Sequence, residues 1–301
     1  METKIAGLIR ERGPLTGQEL LDATQEGGLS LWRACKTSRL LSMRSLGTRY
    51  LRLDRRIEGY ARLSPSILRE FLTYSVVGLA EDREALNLKA DAILSHIAAV
   101  SRSKRGLAYN VISSLLNQFS DEAVLREQSC FVLAGDIVYD MAHDVPRPER
   151  STGKMVNGSD MDIVVIVDDL LPGPIVERLD EAIYQEKCRL LITPHVREEI
   201  DYVVKGLERV REQLRFDTFK HMVACKILHE GAYLYGSDTL FQAVKSMLRE
   251  YGVEKKLRDL EKKSDSFRQH AEHLLLHEDP DRIRTEFLNL FYPVEESEEF
   301  E

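Results

Sequence analysis

Apolar residues recur at helical spacing through the first part of the chain. In TKIAGLIRERG, Ile5, Leu8 and Ile9 mark one face, and the breaker pair Gly13-Pro14 predicts the end of a first helix. LTGQELLDATQ follows with Thr16 three residues ahead of Glu19, the spacing of a capping box, and predicts a second short helix. LSLWRACKTSRLLSMRSLG offers Ser30 as the cap of a third, Leu31, Ala34, Leu40 and Leu41 as its apolar positions, and Gly47 as its stop. The period then changes to two. Tyr50, Arg52 and Asp54 alternate with Leu51 and Leu53, as in a half-buried strand, and a second strand is expected between Ile57 and Leu63. Helical spacing returns from Ile67 to about Phe119 and again beyond position 238, where DTLFQAVKSMLREYG and its successors predict a carboxy-terminal helical bundle.

The middle of the chain carries short β-prone runs with charge in unusual places. QSCFVLAGD (128–136) is apolar up to Gly135, and IVYDMAHD after it is expected to start a helix. A strand–glycine–helix junction of that kind exposes backbone N–H groups and suits phosphate. DMDIVVIVDD places Asp160 and Asp162 two apart, so both side chains leave the same face of a strand. Such a pair can grip a hard cation, and magnesium, which takes a few carboxylates together with water and substrate phosphates, fits the supply. VREEIDYVVK (196–205) repeats the oddity with Asp201 inside an apolar strand; Asp201 is the expected third carboxylate, with Glu199 on the same face as the reserve. Between Gly135 and Asp160, HDVPRPERSTGKMVNG reads as a mobile loop whose Arg147, Arg150 and Lys154 close over phosphates, or as a surface loop with no role. Gly158-Ser159 lies directly against Asp160 and reads as a tight entry into the strand.

Composition narrows the classes. The chain has 301 residues, 43% hydrophobic and 31% charged, in the range of folded globular proteins and enough for two or three domains. No long uninterrupted apolar run appears, so a cytoplasmic protein with no membrane partner is expected. Cys35, Cys130, Cys188 and Cys225 are far apart and read as reduced thiols. The net charge of −8 hides a basic segment between positions 31 and 62, while the chain ends in the acidic VEESEEFE. His143, His195 and His221 read as ordinary histidines, and Lys220 and Lys226 as lysines that either reach a nucleotide or are solvated. No serine-hydrolase elbow, Walker loop or dinucleotide fingerprint is present.

Three helices followed by a β-ribbon over residues 1–70 resemble a winged helix-turn-helix domain. That resemblance implies that Arg33, Lys36, Arg39 and Arg44 face DNA phosphates or base edges, or that the module docks proteins and its arginines are solvated. After a helical connector (71–104), the glycine turn, SDMDIVV, EIDYVV and ILHEGAYLYGS over residues 105–240 resemble the nucleotidyltransferase superfamily that shares the DNA polymerase β catalytic domain. Residues 241–301 form the remaining helical region. The expected fold class is thus α+β, with a winged helix, a central mixed sheet and a helical tail.

The second resemblance implies that Asp160, Asp162 and Asp201 are catalytic and bind Mg2+, with Mn2+ as an alternative ion. It also implies that Gly135 and Asp136, with Lys220, hold an NTP, ATP being expected first. In the family the turn usually reads Gly-Ser or Gly-Gly, and the stretch between it and the D-x-D pair is shorter than here. The implied activity is transfer of a nucleoside monophosphate to a hydroxyl of a protein, RNA or small molecule. The alternative is a DNA-binding regulator whose nucleotidyltransferase fold senses nucleotide or is inactive, and self-association stays open.

Overall fold

The structure, a computed structural model, describes residues 1–292; the acidic segment 294–301 lies outside the described residues. The chain is a mixed α+β protein that divides into two units. Among the described residues, one comprises 1–96 and 259–292, the other 97–258.

In the first unit, α1 (Glu2–Arg12), β1 (Leu15–Thr16), α2 (Gly17–Thr24), α3 (Gly28–Thr37), β2 (Leu41–Ser45), β3 (Tyr50–Leu53), β4 (Ala61–Ser64), α4 (Ile67–Thr73) and β5 (Ser75–Leu79) follow in order. α2 starts as its sequence requires: the Thr16 hydroxyl accepts from the Glu19 N–H, and the Glu19 carboxylate accepts from the Thr16 N–H. Two expectations are corrected. α3 is capped by Gly27, not Ser30, and ends at Thr37 because Ser38 turns extended and its hydroxyl accepts the N–H groups of Leu40 and Leu41. Leu41–Ser45 is therefore a strand. The run after Ile67 is also not all helix, because Ser75–Leu79, with Val76 and Val77 fully buried, is the centre of an antiparallel sheet of order β1-β5-β2. β3 and β4 pair as the predicted ribbon.

The chain continues through α5 (Arg83–Leu116), α6 (Glu122–Gln128), β6 (Ser129–Ala134), β7 (Pro146–Pro148), β8 (Met155–Asn157), β9 (Met161–Val167), α7 (Gly173–Ile192), β10 (Ile200–Gly206), α8 (Leu207–Gln213), α9 (Phe219–Glu230), β11 (Ala232–Gly236) and α10 (Asp238–Glu250). It closes with α11 (Val253–His277), α12 (Pro280–Arg282), a π-turn over Ile283–Phe287 and α13 (Leu288–Phe291).

The second unit is built on a mixed sheet of order β10-β9-β6-β11, with β9 parallel to β10 and antiparallel to β6. The parallel pair is joined by α7, whose Leu179, Ile183 and Leu190 cover the sheet; a parallel connection requires such a crossover. Phe131, Leu133, Ile163 and Val165 pack with Ile112 and Leu116 of α5 in the same core. Lys245 of α10 donates to the carbonyls of Leu228, His229 and Gly231, satisfying the acceptors left over where α9 ends. The expected mobile loop after Gly135 is instead a two-stranded hairpin, β7–β8. Burial pushes the thiols of Cys35, Cys130 and Cys225 up to about 12 each, as inert core thiols require. Among the described residues no helix is long and apolar enough to cross a membrane.

From 259 onward the helices belong to the first unit, where Leu275, Ile283 and Phe291 share a core with Ile5, Leu20, Trp32 and Phe71. A buried charge network joins these parts. Glu70 is 6% exposed and accepts from Ser45 (2.8 Å), from Arg49 (2.8 and 2.9 Å) and from Arg268, itself buried. Burial raises the Glu70 carboxyl, but Arg49, Arg268 and Ser45 outweigh it and hold the group below the usual glutamate range. Glu70→Gln should therefore destabilise the full chain by about 2 kcal/mol at pH 7, because buried Arg268 is left with Glu272 and the Pro65 carbonyl as its partners and loses its most buried counter-charge. With the folded pKa depressed, the Glu70 contribution is complete above the ordinary glutamate pKa and is lost as pH falls through the lowered value. Denaturant titrations of both proteins across that acid range should accordingly converge.

Candidate metal and nucleotide site

Strand register assembles the acidic centre. Asp162 of β9 pairs with Asp201 of β10 on one side and with Ala134 of β6 on the other, so all three lie on one level across the sheet. In-register residues of neighbouring strands leave the same face, so the Asp162 and Asp201 carboxylates meet there. Asp160 stands one residue before β9, two residues from Asp162 and so on its side of the chain. The ligand oxygens of Asp160, Asp162 and Asp201 lie within 4.8 Å of one another, and all three residues are partly exposed. Three hard oxygen donors at that separation, open to solvent on one side, fit a divalent cation of the magnesium type with room for water or phosphate.

Gly135 follows β6 and closes against the centre. Its φ is +72°, and a Cβ built there would lie 2.0 Å from Asp162 Oδ2, so the backbone approaches the carboxylate as only glycine allows. The expected helix after it does not form. Gly135–Ile137 is a single 3-10 turn, so the junction exposes a turn backbone without a long helix dipole behind it. Asp136 accepts from the Ser159 hydroxyl at 3.1 Å, and Ser159 in turn exchanges bonds with the His143 backbone. Gly158 makes this approach feasible: an added Cβ would sit 1.9 Å from the His143 carbonyl oxygen.

Two cations of the chain answer the carboxylates. Arg147 of β7 lies 2.8 Å from Glu199 and 3.4 Å from Asp160, and Lys187 of α7 donates to Asp201 at 2.8 Å. Burial raises the Asp160 carboxyl; Arg147 pulls it back, while Asp201 and Asp136 push it further up. The Glu199 carboxyl is raised for the same reasons, burial first. Burial lowers Lys187, but its bond to Asp201 wins and the ammonium is held above its ordinary value. The entrance to β10 is buttressed by Lys104, which is buried, ion-paired with Glu198, and donates to Asn157 O at 2.7 Å.

The remaining expected site residues are dispersed. Lys220 is exposed in the first turn of α9, and it is the other end of that helix that meets the glycine turn: Glu230 pairs with Lys226 (2.8 Å) and accepts from Tyr139 (2.5 Å). Of the four expected DNA-facing cations, Arg33 donates to the carbonyls of Leu276 and Glu278, and Arg44 leaves α3 for β2, where it binds Asn87 and Asp91. Lys36 and Arg39 are exposed, the latter beyond the end of α3. Lys187 is the site residue that sequence reasoning missed. It falls four residues after Ile183, on the apolar stripe of the crossover helix, and a lysine in that register is the signal that would have found it.

No protein-family model, no curated protein and no solved structure matches the chain.

Gly135→Ala should cost about 1–3 kcal/mol through backbone strain alone, and because the Asp162 carboxylate must retreat, any stabilisation of the wild type by added Mn2+ should shrink in the variant. Thermal unfolding of the full chain with and without Mn2+ measures both effects.

Proposed function

We propose that the chain is a magnesium-dependent nucleotidyltransferase that moves a nucleoside monophosphate from an NTP, ATP first, onto a hydroxyl of a protein, RNA or small molecule. The observation that carries this reading is the meeting of Asp160, Asp162 and Asp201 within 4.8 Å, from two adjacent strands in register. Support also comes from the path of the chain. An antiparallel strand ending in Gly135, the D-x-D strand, a crossover helix and a parallel third-carboxylate strand follow in the order expected of the polymerase-β-like superfamily.

Asp160 and Asp162 would hold the cation, and Asp201 would complete its ligand set and accept the proton of the acceptor hydroxyl. The Gly135 turn would present backbone N–H groups to the triphosphate, and the hydroxyl would attack the α-phosphorus in line and expel pyrophosphate. Bound magnesium would supply neutralisation of the phosphate charge and activation of the attacking oxygen. Lys187, which donates to Asp201 at 2.8 Å, would orient that carboxylate.

Incubation with α-labelled NTPs and mixed protein, RNA and small-molecule acceptors tests the reading. Pyrophosphate release and label transfer are expected, and Asp162→Asn should lower the rate about a thousandfold with the fold intact by circular dichroism. Absence of turnover with every NTP would count against it.

A DNA-binding regulator with a nucleotide-sensing fold is the second reading, favoured by Asp136, an anion where phosphate should sit, and by the single 3-10 turn after Gly135. The β1-β5-β2 order with α2 and α3 beside it supports a winged helix for the first unit, the β3–β4 ribbon being inserted at the wing. Under this reading duplex affinity should fall steeply with salt. Replacing the exposed Lys36 and Arg39 by alanine should reduce the log–log slope by about two, near 0.9 for each phosphate no longer neutralised.

A further inference from the structure

Arg147 stands where a phosphate ligand is wanted but is turned onto the carboxylates. Its Nε donates to the Gly158 carbonyl at 2.8 Å, which fixes the guanidinium at the mouth of β9. From there its terminal nitrogen reaches Glu199 at 2.8 Å and Asp160 at 3.4 Å.

Glu199 makes this contact unusual. The residue is 6% exposed, yet its Oε2 receives no directed hydrogen bond; the arginine lies close but off the angle a hydrogen bond needs. A buried carboxylate normally takes several directed donors, so the Arg147–Glu199 pair is held by charge and can be exchanged for another cation.

The position of Arg147 on its hairpin suits exchange as well. β7 and β8 pair with each other and not with the β10-β9-β6-β11 sheet, and β7 holds Pro146 and Pro148, which have no N–H to donate. β8 is anchored through Asn157 to Val196, Arg197 and Lys104, so exchange is a matter of the Arg147 side chain and not of the ribbon. The Arg147 side chain is also 31% exposed, so a nucleotide can reach it without unfolding the chain.

We propose that Arg147 is the resident counter-cation of the carboxylate centre, displaced from Asp160 by a divalent cation and then drawn from its undirected contact with Glu199 to the phosphates of an incoming nucleotide. The proposal rests on the metal-site reading above. A guanidinium and a metal ion compete at Asp160, the one carboxylate that both reach. Released, the planar fork of Arg147 matches a phosphate with two parallel hydrogen bonds. Metal and nucleotide are thereby coupled: the first frees the side chain that the second needs.

The test measures binding and needs no turnover. Isothermal titration of the full chain with Mn2+ alone compares the wild type with Arg147→Met and Arg147→Lys. Removing a unit charge at this distance should tighten Mn2+ binding about tenfold in Arg147→Met, with Arg147→Lys nearer the wild type. At saturating Mn2+, a non-hydrolysable ATP analogue should bind Arg147→Met about tenfold more weakly, the opposite sign. Unchanged or weaker Mn2+ binding in Arg147→Met, with a wild type that binds Mn2+, would overturn the proposal and leave the metal centre standing. If neither protein binds Mn2+, the metal centre and the proposal fall together.

Discussion

The parallel register of β9 against β10 is the constraint on which the centre depends. Asp162 opposite Asp201 puts two like charges side by side at the open end of a largely apolar strand pair, an arrangement that opposes folding unless something positive stands between or beside them. The rest of the second unit can be understood as the means of holding that register. α7 returns the chain in the parallel sense, Ile163 and Val165 lock β9 into the core, and Lys104 ties the approach of β10 to Asn157 before β9 begins. A slip of one residue would send Asp201 to the opposite face and bury it among core side chains.

The charge balance follows from this register. Four carboxylates gather at the entrance of two strands, and two basic side chains from different elements, a hairpin and a crossover helix, meet them. Neither cation is deeply buried, so the centre is neutral enough to fold and open enough to exchange its partners with the surroundings. The first unit solves its electrostatic problem the other way. There Glu70 is enclosed by Arg49, Arg268 and Ser45 with its acceptors filled, and the charges serve to join α4 to α11. One network is closed and structural; the other has an unfilled oxygen at Glu199.

Features written within a few residues were legible in the sequence. The Thr16–Glu19 capping box, the Gly13-Pro14 stop, the D-x-D alternation and Asp201 within an apolar strand each depend on neighbours along the chain, and the three aspartates do come together. What failed to show depends on distant partners. Val76 and Val77 lie in a short apolar run whose spacing suits helix or strand equally, and only pairing with β1 and β2 decides for strand. Leu40 and Leu41 fit the apolar stripe of α3, but Ser38 takes their N–H groups and ends the helix first. The Pro-rich stretch around Arg147 has the composition of a loop, and its hairpin is settled by cross-strand register between residues 146–148 and 155–157. The basicity of the amino-terminal segment was visible as composition, whereas the engagement of Arg33 and Arg44 within their own unit was not.

The tip of that hairpin is knotted by one side chain. Glu149 accepts from the backbone and hydroxyl of both Ser151 and Thr152; burial raises its carboxyl, but those four donors outweigh it and hold the group at about 2. It therefore keeps its charge, and its grip, at every pH a cell reaches. One side chain thus closes the turn by itself, wherever its carboxylate is ionised.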